Sequence, residues 1–252
     1  MVMASRTRAE ILIGKALREA AAAALERYLL VGDASVPDHA AQAFARVMAR
    51  VWRSSVVAAS RRTRRDIGLL DAKEDEQSLW DQFVAEYIRI WGGQAITNIL
   101  ETTRVQIMEA VDAGLRDGKS LAVIAVEMRE LVSSLSRRRA ATIAATETHS
   151  AAQYGSMQTA KRAPFPLVKT WNSAYDHRTR DFGEADGRVD QANHRRMNGV
   201  TVPMDDPFPV PNKWGGTDLM QFPGDQSAPV YQVVRCRCAL TYRRAARVIA
   251  SP

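Results

Sequence analysis

The distribution of proline divides this 252-residue chain into two parts that fold differently. Nine of the ten prolines lie at Pro164 or later, and only Pro37 precedes them. Proline interrupts helices, so the first part can form long helices, whereas the second must be rich in turns and short elements. We therefore predict an α+β fold, in which an N-terminal long-helix region precedes a small loop-rich α+β domain with short antiparallel strands.

Helical patterns fill the chain before Pro164. Gly92 and Gly93 interrupt one of them and predict a kink or break. Ser35 and Ser120 stand where capping residues are expected, each before a new pattern. The patterns cover residues 8–30, 37–65, 74–115, 121–135 and 136–163.

The remaining residues predict a compact domain of short elements. Residues 165–171 form a strand candidate, and residues 202–216 read as a loop dense in Pro and Gly. Residues 228–243 are rich in β-branched side chains and predict one or two final strands. We place the domain boundary between residues 138 and 139, with residues 1–138 as a helical region for partner binding and residues 139–252 as the second domain.

Composition excludes several classes of protein. Apolar residues make up 46% and charged residues 25% of the chain, as in globular proteins. Two cysteines cannot form a disulfide framework, so we expect folding in a reducing compartment. We find neither a secretory signal nor an apolar run of about 18 residues, so no membrane segment is expected. The net charge of +7 permits contact with nucleic acid without requiring it.

Two short arginine runs are candidates for non-specific nucleic-acid contact. The planar guanidinium suits phosphate, but short runs near helix ends are also commonly solvated or complement the helix C-terminus. Both interpretations stay open from the sequence. The residues concerned are Arg61, Arg62, Arg64, Arg65, Arg137, Arg138 and Arg139.

The pattern of two cysteines and a histidine is compatible with a metal site. Cys236 and Cys238 supply two thiols, and His194 or His177 can supply an imidazole. Zn²⁺ prefers such ligands, although C-x-C is less characteristic of zinc sites than C-x-x-C. The alternative is a pair of buried reduced thiols in a terminal strand, where alternation points both side chains to one face. Zinc bound by His194, Cys236 and Cys238 is therefore an alternative to plain thiols, and no other cofactor is expected.

The residues between 175 and 199 raise the alternative of a metal-dependent nuclease. Asp176, His177 and His194 could activate water beside a metal, while nearby arginines hold the phosphate. The supporting cysteine pairs and strand–helix spacing of such nucleases are not found, and a polar network that joins loops explains the same residues. Glu147 and His149 cannot form an acid–base pair within one helix, because they point about 200° apart.

Six short motifs occur in the order found in one protein family. Two features depart from the family pattern: Arg235 stands where the pattern has Asn before its first Cys, and the gap between Arg180 and His194 is long, as though a loop were inserted. Over residues 140–243 the chain resembles the Mu F-like head morphogenesis family, the minor head proteins of tailed bacteriophages and prophages. The motifs are Thr146-Glu147, Trp171 with Asp176 and Arg178-Thr179-Arg180, His194 with Met197-Asn198-Gly199, Pro223-Gly224-Asp225, and Cys236-Arg237-Cys238.

This resemblance implies a non-enzymatic minor head protein. It implies capsid assembly, DNA packaging or DNA delivery as the function, and portal, capsid and scaffold proteins as partners. The protein would assemble in the host cytoplasm and lie inside the virion near the portal vertex, in few copies. No catalytic residue is implied. As structural residues we expect Glu147, Trp171, Asp176, Arg178, Arg180, His194, Gly199 and Asp225, with Trp171 packed beneath the polar cluster.

Overall fold

The computed structural model describes residues 2–69 and 76–245 of the chain. Long helices occupy the part before residue 162 and short antiparallel strands follow, which confirms the predicted α+β class. The chain divides into two compact units, one of Met1–Trp52 and Glu86–Glu147 and the other of Arg53–Ala85 and Thr148–Pro252. The boundary at residues 138 and 139 stays a prediction, and in the structure that position lies inside a helix.

The helices follow the apolar patterns of the sequence. Apolar side chains that recur every three or four residues form a buried face, and tertiary packing of that face stabilises each helix. No helix in the described ranges combines the length and the apolarity that crossing a membrane requires. The helices are α1 (Val2–Val31), α2 (Asp38–Asp66), α3 (Glu76–Tyr87), a π-helical turn (Ile88–Gly92), α4 (Gly93–Arg116) and α5 (Leu121–Lys161).

Three local features differ from the predictions or sharpen them. Residues 121–161 form one helix and not two, because no Gly or Pro stands between residues 121 and 154 to end it. At Gly92-Gly93 the predicted kink is a π-helical turn, through which the chain passes from α3 to α4 without a break. Ser120 caps α5 as predicted, since its Oγ accepts from Val123 N at 3.4 Å, whereas Ser35 instead donates to Asp33.

The first unit has an aliphatic core and an aromatic cluster. The aromatic cluster includes Trp52 and Tyr87, whose ring centroids lie 5.8 Å apart in an edge contact. Burial of these side chains supplies the hydrophobic stabilisation of the unit. The aliphatic core contains Ala24, Leu25, Ala34, Ile107, Val111, Ile124 and Met128, contributed by α1, α4, α5 and the loop after α1.

The second unit contains two small sheets. One is a three-stranded antiparallel sheet in the order β2-β1-β5, and the other pairs β3 with β4. In the first sheet Trp171 lies opposite Leu240, and both side chains are buried. The strands are β1 (Leu167–Asn172), β2 (Thr201–Pro203), β3 (Phe208–Pro211), β4 (Thr217–Met220) and β5 (Ala239–Arg244), with a short helix α6 (Val230–Val233) before β5.

One strand prediction is narrowed by the structure and another needs correction. Residues 228–243 contain only one strand, because Pro229 starts a helical turn in which Val234 N donates to Val230 O at 3.0 Å. Local turn geometry thus overrides the β-propensity of the valines. The predicted loop at residues 202–216 contains most of β2 and all of β3. Pro209 and Pro211 are compatible with β3 because a strand with one partner leaves alternate amides outside the ladder.

Within the second unit, small residues bring α2 and α5 into close contact. A Cβ at Gly155 would lie 2.8 Å from Val56 O and 3.0 Å from Val56 Cα, closer than side-chain atoms normally approach a backbone. Hydroxyl groups line the same contact, where Ser60 Oγ donates to Gly155 O at 3.2 Å. Thr63 Oγ1 and Ser156 Oγ lie 2.8 Å apart. The absence of a side chain at Gly155 therefore allows the two helices to pack.

Gly155→Ala tests this contact. Alanine favours a helix over glycine by about 1 kcal/mol, but its methyl group would force the Val56 backbone away. We expect the free energy of unfolding to fall by about 1–3 kcal/mol, as in other overpacked cores. The measurement is the urea midpoint at constant denaturant slope.

Gly93→Ala is the matched control, because Gly93 is also helical and a Cβ there would meet nothing within 4 Å. This variant should keep or raise the stability of the protein. Equal effects of the two substitutions would contradict the close contact.

Candidate functional site

Strand β1 places Trp171 at the centre of the second unit. Alternate residues of β1 are buried, and Trp171 has no solvent exposure. Its ring makes edge contacts with His194 and Phe208, at centroid distances of 5.4 and 5.3 Å. Trp171 thus packs directly against the polar cluster that the sequence predicts.

Backbone hydrogen bonds fix the position of His194. Its amide donates to Arg180 O at 2.9 Å, and the next amide, of Arg195, donates to the same oxygen at 3.1 Å. The preceding residue, Asn193, donates its amide to Pro211 O at 3.0 Å. His194 is consequently held in a loop while its side chain is 1% exposed.

A chain of hydrogen bonds determines which nitrogen of His194 bears the proton. Tyr231 OH and Gln232 Nε2 donate to Asp218 Oδ2 at 2.8 and 2.7 Å. A carboxylate only accepts, so the amide nitrogen of Gln232 faces Asp218 and its Oε1 faces His194. Gln232 Oε1 lies 2.8 Å from His194 Nε2 and must accept, so Nε2 is protonated, and in the neutral ring Nδ1 then bears the lone pair.

Both cysteines face that lone pair. Cys236 Sγ and Cys238 Sγ each lie 3.6 Å from His194 Nδ1. Both are buried free thiols on either side of the exposed Arg237, and together with His194 they form a buried group whose ligand atoms lie within 4.8 Å of one another. The structure thus brings together the three residues that the sequence singles out for a metal. The cysteines precede β5 and do not lie within it, although their side chains share one face as expected.

The two thiols differ in acidity because they share a hydrogen bond. Burial alone would raise the pKa of Cys236, but opposing interactions, of which the hydrogen bond that its sulfur accepts from Cys238 is the largest, together hold that pKa well below its usual value. The hydrogen bond to Cys236, together with burial, raises the pKa of Cys238 well above its usual value. Cys236 is therefore the sulfur that ionises more readily.

The turn at Pro223-Gly224-Asp225 closes over α5. Asp225 Oδ2 accepts from Gln221 N at 2.8 Å, and Oδ1 accepts from Ser227 N at 3.0 Å. Gly224 has φ +82°, and a Cβ there would lie 2.9 Å from His149 Cδ2. The glycine is therefore required both for the backbone conformation and for the close approach to the His149 ring.

Asp176 organises the loop that follows β1. Its Oδ1 accepts from Arg178 N at 3.0 Å, and Arg237 Nη1 lies 2.7 Å from both carboxylate oxygens. The hydrogen bond from Arg237 is the largest cause that lowers the pKa of Asp176 to about 2, against the opposing effect of desolvation. The carboxylate joins this loop to the residue between the two cysteines.

The two arginines of the D-x-R-T-R motif have different environments. Arg180 is half-buried and its guanidinium donates to Val234 O, two residues before Cys236. Arg178 was expected in the polar core, but its side chain is exposed and only its backbone amide contacts Asp176. A loop has no regular period, so the spacing of the two residues could not show which one faces inward.

The other expected structural residues have separate roles. Gly199 donates its amide to Trp171 O at 2.8 Å and so joins the loop after His194 to β1. Glu147 is buried, but it belongs to the first unit, where its Oε2 accepts from Trp52 Nε1 at 2.9 Å.

The sequence patterns did not predict the burial of two charged residues, Lys169 and Asp181. Lys169 Nζ donates to Gln221 O and Oε1 at 2.9 and 3.0 Å, and burial lowers its pKa to about 8. Asp181 accepts from Gly183 N at 2.9 Å and from Arg195 Nε at 2.9 Å. The alternation of β1 could have placed Lys169 on the same face as Trp171. The D-x-G spacing after Asp181 is typical of a turn in which a carboxylate accepts from the backbone.

The nuclease alternative does not fit this geometry. His177 is exposed, whereas His194 is buried with its ring nitrogens directed at Gln232 and at the cysteines. The carboxylate of Asp176 is paired with Arg237. A base that activates water must reach the reacting atom, and His194 is enclosed.

The arginine run at residues 61–65 is only partly exposed. Arg64 is 6% exposed and donates from Nε and Nη2 to Leu69 O at 3.2 and 3.1 Å, so it caps the end of α2. Arg61 stacks on Trp80 at 4.8 Å, and Arg62 lies 3.5 Å from Asp66. Arg64 is therefore removed from the candidates for nucleic-acid contact, and Arg65 is an exposed candidate.

The run at residues 137–139 also needs correction. Arg139 joins α5 to α4 by donating to Thr103 Oγ1, Gln106 Oε1 and Ile99 O at 2.9, 3.0 and 2.9 Å. Burial lowers its pKa, and its role is structural. Arg138 is exposed, and the side chain of Arg137 lies outside the described part of the chain.

Comparison with known protein families gives a match. A family model described as "Phage Mu protein F like protein" matches residues 105–241, more than half of the chain. The matched residues extend from α4 to β5 and include Trp171, His194 and both cysteines. Searches of curated proteins and of solved structures returned no significant match.

Arg180→Ala and Arg178→Ala form a matched pair of variants. Loss of the Arg180 side chain leaves the half-buried Val234 carbonyl without this donor, so we expect the free energy of unfolding to fall by about 1–3 kcal/mol. Arg178→Ala should change stability by no more than about 0.5 kcal/mol, because the exposed side chain is removed and the backbone bond stays. Thermal and urea unfolding of both variants measure the difference. Equal losses would contradict the assignment of Arg180 as the structural arginine.

The pairing of Asp176 with Arg237 predicts a pH-dependent stability. Because folding lowers the pKa of Asp176 from 3.8 to about 2, its contribution is fully present above about pH 4 and is lost as the pH falls towards 2. Asp176→Asn should therefore be less stable than the parent protein at pH 6, and the gap should narrow at pH 3. Urea midpoints at the two pH values measure the gap. Asp206→Asn, at an exposed aspartate, is the control, and a gap that widens at pH 3 would refute the pairing.

Proposed function

Because the chain belongs to the phage Mu protein F like family, we propose that it is a minor head protein that acts at the portal vertex inside the capsid of a phage or prophage. The family indicates head morphogenesis as the broad function and the virion as the location. The observation that carries the proposal is the match over residues 105–241, which contains the whole ordered set of motifs from Glu147 to Cys238.

The use of the polar side chains supports a structural role. Asp181 and Asp225 accept backbone amides of their own loops, and Arg180 donates to a backbone carbonyl. Groups held in this way stabilise a chain that has little regular structure. They support a folded assembly module more than a catalytic cleft.

The helical unit supplies apolar surface for a partner. Leu30 and Val31, at the end of α1, are 83% and 69% exposed, and Ile11 on the same helix is 67% exposed. Leu30 and Val31 are adjacent and can contact another protein together, whereas Ile11 lies about five turns away along α1. We assign this surface to the portal protein, with capsid and scaffold proteins as further partners during assembly.

Contact with packaged DNA is a secondary part of the proposal. The net charge of +7 and the exposed Arg65 and Arg138 favour weak contact with phosphates. Such contact is independent of sequence and falls steeply with salt. The structural roles of Arg64 and Arg139 leave a small number of arginines for it.

Deletion of the gene from its phage or prophage tests the proposal. We expect heads that fail to mature or fail to deliver DNA, with infectivity restored by the full chain supplied in trans. Mass spectrometry of purified virions should detect the protein in few copies per particle. Normal yields of infectious particles without the protein would contradict a role in the head.

Variants distinguish specific binding to the portal protein from non-specific hydrophobic association. In co-expression with the portal protein of the same phage, Leu30→Ser/Val31→Ser should reduce co-purification. Leu219→Ser is the matched control, since Leu219 is 63% exposed in the other unit.

A DNA assay tests the nuclease alternative. Incubation of the protein with plasmid DNA and Mg²⁺, Mn²⁺ or Zn²⁺ should give salt-sensitive retardation of the DNA without cleavage. Cleavage that is lost in His177→Ala would instead favour the nuclease.

A further inference from the structure

We propose that His149, His194, Cys236 and Cys238 bind one Zn²⁺ ion and form a closed structural metal centre within the second unit. The sequence pattern indicates three of these residues as ligands, and the structure adds His149. The inference rests on the geometry of the side chains and is independent of the proposed role in a phage head.

The spacing of three ligand atoms matches a tetrahedral zinc site. Zn–S bonds of about 2.3 Å and Zn–N bonds of about 2.0–2.1 Å at a tetrahedral angle separate a nitrogen from a sulfur by about 3.6 Å. His194 Nδ1 lies 3.6 Å from each sulfur. One lone pair cannot accept two S–H bonds equally well, whereas a cation between the three atoms satisfies both sulfurs and the nitrogen.

The surroundings of His194 prepare it as a ligand. A histidine that binds a metal usually donates its other ring N–H to a carbonyl or carboxylate, which fixes the ring and its tautomer. Here Nε2 donates to Gln232 Oε1, and Gln232 is in turn held by Asp218. The bare Nδ1 is thereby directed at both cysteines without any need for rearrangement.

We assign His149 as the fourth ligand because its Nε2 is a buried nitrogen without a hydrogen-bond partner among the described residues. Since it does not belong to the group of ligand atoms that lie within 4.8 Å of one another, its ring must move towards them when the metal binds. His149 Nε2 is buried and makes no hydrogen bond of normal geometry with the described residues. A buried polar atom without a partner is costly and calls for an explanation such as an ion. The turn at Gly224 packs against the His149 ring, since a Cβ at Gly224 would lie 2.9 Å from His149 Cδ2 and 3.5 Å from Nε2.

Metal binding would join three segments that are distant in sequence. His149 belongs to α5, His194 to the loop between β1 and β2, and the two cysteines to the segment between α6 and β5. Four protein ligands leave no open position for substrate, which is the arrangement of structural zinc sites. The free energy of zinc binding then adds to that of folding in a unit whose strands have three to six residues.

Metal analysis of the full chain provides the first test. Protein purified without chelator should contain one zinc per chain by elemental analysis. The metal-free protein should bind one Co²⁺ and show the thiolate-to-cobalt charge-transfer band and intense visible bands of tetrahedral coordination. A folded protein that contains no zinc and takes up neither Zn²⁺ nor Co²⁺ in stoichiometric amount would overturn the proposal.

Variants at Gln232 and at the three histidines other than His194 test the ligand set. His149→Ala should weaken Zn²⁺ binding at least about tenfold and alter the cobalt spectrum, and Gln232→Ala should weaken binding about 10- to 100-fold. His39→Ala and His177→Ala are matched controls at exposed histidines and should leave both unchanged. An unchanged spectrum and affinity in His149→Ala would overturn its assignment as a ligand.

A thiol assay keeps the proposal testable if a variant fails to fold. In the parent protein, bound zinc should protect Cys236 and Cys238 from a thiol reagent under conditions where the chain stays folded, and a chelator should remove that protection. Equal reaction rates with and without chelator would count against the metal. None of these measurements uses phage assembly, so their failure would leave the proposed function untouched.

Discussion

The hydrogen bond between His194 Nε2 and Gln232 Oε1 is the contact on which the core of the second unit depends. It buries an imidazole beside Trp171 and leaves Nδ1 directed at two sulfurs, each 3.6 Å away. If the amide of Gln232 pointed the other way, its oxygen would face the carboxylate of Asp218, and two acceptors would meet in the core. Buried networks of this kind are stabilising only when every member has its partner.

The same requirement explains the concentration of charged residues in a loop-rich domain. Short strands leave many backbone amides and carbonyls without partners in a ladder, and side chains must supply them. Asp181 and Asp225 accept backbone amides, while Arg180 and Lys169 donate to carbonyls. Several of the residues that look catalytic in the sequence thus make structural contacts, in keeping with the family to which the chain belongs.

The sequence predicted the parts that depend on local patterns. Proline positions separate the helical part from the loop-rich part, and the residue types of His194, Cys236 and Cys238 raised their meeting as one of two alternatives, which the structure now favours. It could not predict contacts between distant segments, such as the approach of Gly224 to His149. Nor could it separate Arg178 from Arg180, because loop residues follow no period.

The local backbone also gives a physical reason why the family pattern has Asn before its first Cys. Arg235, which stands in place of Asn, has φ 55°, a left-handed conformation in which Asn is enriched and most other residues are disfavoured. With Arg at this position the turn is closed by Cys236 N, which donates to Val233 O at 3.0 Å, so the surrounding contacts outweigh the local cost.

The most direct measurement is the tautomer of His194, read from the ¹⁵N chemical shifts of its imidazole ring in the full-length protein. The account predicts a neutral ring protonated at Nε2, with a slowly exchanging proton, because Gln232 Oε1 must accept. This holds whether or not a metal is bound at Nδ1. A ring protonated at Nδ1, or one that exchanges freely between the two forms, would contradict the arrangement of the core.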